Sequence, residues 1–218
     1  SLLKGIRSLD LGTEEWYLEG LVNTPLSELK DRLQNADDER IFIIAEVLRR
    51  GMPIEDIHEK TKIDLFFLYK FAKLIQLEKD LINNKSSIKW LQRAKESGFS
   101  DQSIARLWEV SRKEVYQLRQ DANIHPVYKK VDTCAGEFNS EASYFYSTFD
   151  QENESLPSNR EKILVLGSGP IRIGQGIEFD YATVHSVQAI QEMGYEAIIM
   201  NNNPETVSTD YSISDKPE

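Results

Sequence analysis

"LVLGSGPIRIGQGIEFDY", Leu164 to Tyr181, decides how the C-terminal part of this 218-residue chain is read. An aliphatic run, a group of glycines and a helical pattern follow one another, the order found in a dinucleotide-binding turn. The fingerprint G-x-G-x-x-G is not met, because Gly167 and Gly169 are followed by Arg172 at the third glycine position, with Pro170 before it. The next strand should end on an acid for the ribose hydroxyls, and it runs instead into "NNNPE", Asn201 to Glu205. Nowhere does Gly-Lys-Ser or Gly-Lys-Thr occur. On spacing alone, Gly167, Gly169, Gly174 and Gly176 serve a tight strand-to-helix turn rather than a nucleotide cradle.

Around this loop, "KILVLG" is expected as a buried parallel strand, "FDYATVHSVQAIQEMG" as a helix closed by Gly194, and "EAIIM" as a second strand. One helix on two parallel strands leaves a sheet face uncovered, so the unit reads as the truncated start of an α/β domain.

Upstream, to about Asn123, apolar residues recur at helical spacing with helix punctuation. Thr24 is expected to cap a helix that has Pro25 at its first position. "DERIFIIAEVLRRG" closes at Gly51, "DLFFLYKFAKLIQLEKDLI" is capped by Asp64, "SSIKWLQRAKESG" ends at Gly98, and Ser111 with Glu114 forms a capping box. "GMPIEDIHEKTKIDLFFLYKF" from Gly51 also repeats as "GFSDQSIARLWEVSRKEVYQL" from Gly98, pairing Ile57 with Ile104, Ile63 with Val110, Asp64 with Ser111, Leu68 with Val115, Tyr69 with Tyr116 and Phe71 with Leu118. Each copy has the outline of a helix-turn-helix, so a DNA-binding or interaction module is the alternative reading. Arg112, Lys113 and Arg119 are interleaved with Glu114 and Asp121, and 36 acids stand against 26 bases for a net charge of -10, which opposes binding to a polyanion. No nucleic acid partner is expected.

The periodicity fails between Ala122 and Phe149, and "QENESLPSNRE" from Gln151 reads as a polar linker. The expected organisation is a mainly α-helical domain over 1–150, a linker over 151–160 and the N-terminal part of an α/β domain over 161–218. A single cysteine, Cys134, excludes an internal disulfide, and a packed structural role is favoured over a thiol nucleophile with His125. His58, His125 and His185 have no metal-ligand spacing, so no metal site is expected. The N-terminus lacks a signal-peptide pattern and no apolar run reaches the ~20 residues of a membrane span. A cytoplasmic, membrane-free protein is the expectation.

"GSGPIRIGQGIEFDY" followed by "GYEAIIMNNNPETVSTDYSISD" strongly resembles the opening of the second synthetic half of the carbamoyl phosphate synthetase large subunit. "HPVYKKVDTCAGEF" and "YFYSTF" resemble the segment before it, and the helices correspond more loosely to that family's oligomerisation domain. Ser168 departs from the glycine that many relatives carry. The resemblance implies a fragment: an oligomerisation domain plus a Rossmann-like pre-ATP-grasp βαβ unit, inactive alone and holding no cofactor or complete catalytic site. The parent ligase makes carbamoyl phosphate from bicarbonate, ammonia and two ATP, with ATP and Mg as cofactors, for arginine or pyrimidine biosynthesis. The resemblance further implies self-association through the helices, the remainder of the large subunit and a glutaminase small subunit as partners, and Glu178 and Glu205 among carboxylates lining the tunnel that brings carbamate to the second site.

Overall fold

The computed structural model describes residues 2–8, 15–132, 134–137, 144–167, 169, 174–201, 206–210 and 212–217. The chain forms two compact units, Ser1–Ile124 and His125–Glu218.

Helices α1 (Leu2–Ser8), α2 (Glu19–Val22) and α3 (Leu26–Arg32) open the first unit. Thr24 does not cap α3: its hydroxyl donates back to the Gly20 carbonyl at 3.1 Å, and extended Pro25 precedes the first helical residue. The missing N–H of proline costs nothing there, and the Pro25 carbonyl receives the Leu29 N–H.

Two copies of a three-helix repeat follow, α4 (Arg40–Arg49), α5 (Ile54–Thr61) and α6 (Leu65–Asn83), then α7 (Ile88–Glu96), α8 (Asp101–Trp108) and α9 (Arg112–Asp121). The likeness extends to the backbone. Gly51 (φ +83°) and Gly98 (φ +96°) end the first helix of each copy in the left-handed region, and Lys62 and Glu109 both end the second at φ 59°. After each glycine the chain turns inward, so that Met52 and Phe99 are buried and donate to Val47 and Ala94 in the same 2.9–3.0 Å bond. Ile57, Ile104, Leu68 and Val115 fill equivalent core positions. Asp64 accepts the Phe66 N–H, and the Ser111–Glu114 capping box closes in both directions.

Among the described residues, charged side chains are buried with partners. Arg49 of α4 forks onto Glu78 of α6 at 2.7 and 2.9 Å and reaches the Trp16 carbonyl at 2.6 Å. Burial opposes its charge, but Glu78 and Glu46 outweigh that and raise its pKa. Lys95 donates to Asp101 and to the Phe99 carbonyl; there desolvation prevails and lowers the ammonium pKa despite Asp101. The first turns of α6 turn aromatic side chains outward, with Phe66 59% and Phe67 53% exposed in an edge-to-face pair.

In the second unit, the stretch read as aperiodic contains an antiparallel pair, β1 (Val127–Lys130) and β2 (Phe145–Thr148). The Glu154 N–H bonds to the Tyr128 carbonyl at 2.8 Å, which adds polar residues of the following segment to the edge of β1. Strands too short for a clear alternation leave little trace in a sequence.

A parallel sheet of order β3-β4-β5 follows, from β3 (Lys162–Leu166), β4 (Glu196–Met200) and β5 (Lys216–Pro217). Helix α10 (Gly176–Glu192) makes the crossover between β3 and β4 and begins earlier than its apolar pattern suggested. Val187, Ala197 and Ile199 form the buried cluster on which Val165, Ile190 and Ile213 pack. β3 is parallel as expected but not buried. It is an edge strand, and Leu164 and Leu166 are 50% and 70% exposed because they alternate away from the α10 side.

Candidate functional site

The C-terminal ends of β3 and β4, where open parallel sheets place their ligands, converge on the start of α10. Gly167 follows β3 and donates its N–H to the Met200 carbonyl at 2.8 Å. A Cβ built on it would lie 2.6 Å from Cγ of Asn201, so a neighbouring side chain requires glycine here. Gly169 (φ +68°) and Gly174 (φ +94°) take left-handed backbone that side chains resist, and Gly176 begins the helix. Arg172 and Glu205 lie outside the described residues. Glu178 is exposed in the first turn of α10, where a carboxylate is favoured by the helix dipole.

Two carboxylates that the sequence did not single out brace opposite ends of the α/β unit, Asp180 near the start of α10 and Asp215 at the start of β4. Asp180, also on α10, accepts the Val207 N–H at 2.7 Å and the Ser208 N–H at 3.0 Å, holding the start of a 3-10 turn, Val207–Thr209. Asp215 receives the Ala197 N–H at 2.9 Å, Gln191 at 3.2 Å and Arg160 at 3.1 Å. Burial works against its ionisation, yet these donors prevail and hold its pKa below the usual carboxylate value. Both partners are distant in sequence, so no local motif announces either residue.

The other candidates scatter. Cys134 is half-buried, His125 is exposed, His58 bonds the Ile63 carbonyl at 2.7 Å, and His185 packs edge-on to Tyr181. Among the described residues no three His, Cys, Asp or Glu side chains gather as a metal site.

The family model of the carbamoyl-phosphate synthetase large chain, oligomerisation domain, matches residues 1–123. That of the carbamoyl phosphate synthase preATP-grasp domain matches residues 159–217. The chain belongs to the carbamoyl-phosphate synthetase large-chain family. Its helical unit is accordingly that family's oligomerisation domain, and its α/β unit carries the preATP-grasp domain. The family matches give no support to the DNA-binding alternative. Arg119, one of the three basic residues it relied on, is buried, paired with Asp101 at 3.3 Å and bonded to the Ile124 carbonyl. No helix among the described residues is long and apolar enough to cross a membrane.

Proposed function

We propose that the chain supplies the oligomerisation domain and part of the second-site scaffold of a glutamine-dependent, cytoplasmic carbamoyl phosphate synthetase. The parent enzyme joins bicarbonate, ammonia and two ATP, with Mg, and receives its ammonia from a glutaminase small subunit, in arginine or pyrimidine synthesis. The observation that carries the reading is the succession of the two family domains in one chain.

Within it, the α/β unit acts as a floor. Gly167 lets Asn201 close over the end of β3, and Glu178 stands exposed in the first turn of α10. In this reading Glu178 and Glu205 line the path of carbamate, orienting donors or managing protons at the second phosphorylation. The 218 residues hold no Walker A sequence and miss the dinucleotide fingerprint, in keeping with a scaffold that neither hydrolyses ATP nor binds NAD or NADP by itself. Self-association through the helical unit is supported by the family's description and by exposed Phe66, Phe67 and Tyr69 on α6.

The test has two arms. The isolated chain should show no bicarbonate-dependent ATP hydrolysis above a protein-free control, and activity there would end the scaffold reading. In the intact synthetase, Glu178→Ala should lower carbamoyl phosphate formation more than bicarbonate-dependent ATP hydrolysis; equal loss of both would mark simple misfolding.

A further inference from the structure

The two copies of the three-helix repeat share a backbone but not a surface. At the spacing that pairs Leu68 with Val115, Phe66 and Phe67 answer to Lys113 and Glu114. Lys70 and Lys73 answer to Gln117 and Gln120, and Asp37 and Asp38 to Asn84 and Lys85. Asp64 and Ser111 cap the two helices alike, so the turn does not need the aromatic pair. Exposed phenylalanine costs free energy that the second copy avoids with charged side chains. The aromatic pair and the charges around it therefore serve something other than the fold of the repeat.

Beside the pair, the starts of α4 and α6 enclose a groove of about 270 Å³. Ile44, Ile63 and Phe71 line it together with Phe67, while Asp37, Asp38 and Arg40 give it a net negative rim. On α6, Phe66, Lys70 and Lys73 follow at i, i+4 and i+7 and form one exposed stripe. Lys70 lies over the Phe66 ring at 5.1 Å. No carboxylate stands three or four residues from either lysine along the helix, so their like charges repel without relief. Among the described residues, Lys70, Lys73, Asp37 and Asp38 form no ion pair.

Under twofold symmetry a patch meets its own copy, and this one is self-complementary: an apolar groove with an acidic rim beside an aromatic stripe that carries lysines. We propose that this face is the interface between two copies of the chain, with Phe66 of each protomer entering the groove of its partner and Lys70 and Lys73 meeting the partner's Asp37 and the partner's Asp38. The proposal rests on the self-association read above for the helical unit and names the surface and the pairing.

The experiment uses the 218-residue chain and sedimentation equilibrium. One variant carries Asp37→Lys with Asp38→Lys, and a second carries Lys70→Glu with Lys73→Glu. Tryptophan fluorescence against urea should show both as stable as wild type. Each variant alone sets like charges against each other in both halves of the interface, and should dissociate about a hundred-fold more readily than wild type. Mixed in equal amounts, the two oppose unlike charges in both halves and should recover a heterodimer of near wild-type strength, which neither misfolding nor a purely structural role would produce. Variants that each associate as tightly as wild type place the interface elsewhere, so the pairing is wrong while self-association stands. Weakened variants that stay apart on mixing also overturn the pairing. A wild-type chain that stays monomeric over the micromolar range ends the self-association reading itself and this proposal with it.

Discussion

Gly167 and Asn201 cannot both carry side chains where they stand: a Cβ on Gly167 would come within 2.6 Å of Cγ and 2.8 Å of Nδ2 of Asn201. Gly167→Ala forces the end of β4 away from β3 and should destabilise the α/β unit by about 1–3 kcal/mol, the usual cost of overpacking. Trp16, Trp90 and Trp108 all lie in the first unit, which separates the signals. Urea unfolding followed by tryptophan fluorescence should be unchanged, while hydrogen exchange in 162–166 and 196–200 rises. A shifted tryptophan transition would contradict this.

Arg49 and Glu78 tie α4 to α6 through a buried fork. Glu78→Ala leaves the guanidinium beside Glu46 alone among the carboxylates of this group, at 3.5 Å, and should cost about 3 kcal/mol. Replacing both residues with Met should cost much less, because no uncompensated charge remains. Tryptophan fluorescence against urea measures both, and equal losses would show that the ion pair, rather than the stranded charge, sets the stability.

Phe66 and Phe67 are exposed while Leu68 beside them is fully buried. The double change Phe66→Ser, Phe67→Ser should leave unfolding within about 1 kcal/mol of wild type, as exposed positions usually do. Sedimentation equilibrium should at the same time show loss of self-association. A variant that associates as strongly as wild type would place the interface elsewhere, including the open face of Leu164 and Leu166.

Asp215 has a folded pKa held below its ordinary value of 3.8 by Ala197, Gln191 and Arg160 acting against burial. The native state thus binds this proton more weakly than the unfolded chain does. Its stabilisation is present in full above 3.8 and is lost as pH falls through the depressed folded value. Exchange of the 196–200 amides in wild type and Asp215→Asn should therefore differ at neutral pH and converge in acid. A difference that stays constant down to about pH 3 would refute the linkage.

The sequence by itself determined the helical unit almost throughout, because its signals are local. Apolar residues at helical spacing, Asp64 and Ser111 at helix starts, and Gly51 and Gly98 at helix ends act within a turn or two of the chain. The same held for the order strand, helix, strand after Lys162, and for the failure of the nucleotide fingerprint. Tertiary structure decided what depends on distant partners. Glycine at 167 is explained only by Asn201, and Asp180 acquires its role only when α10 meets the turn at Val207. The exposure of β3 follows from its place at the sheet edge, which an aliphatic run cannot express, since the run reads alike whether or not a neighbour covers it. Arg119 reads as an available cation in sequence and is committed to Asp101 in the fold, because burial selects a charge's partner through packing rather than spacing.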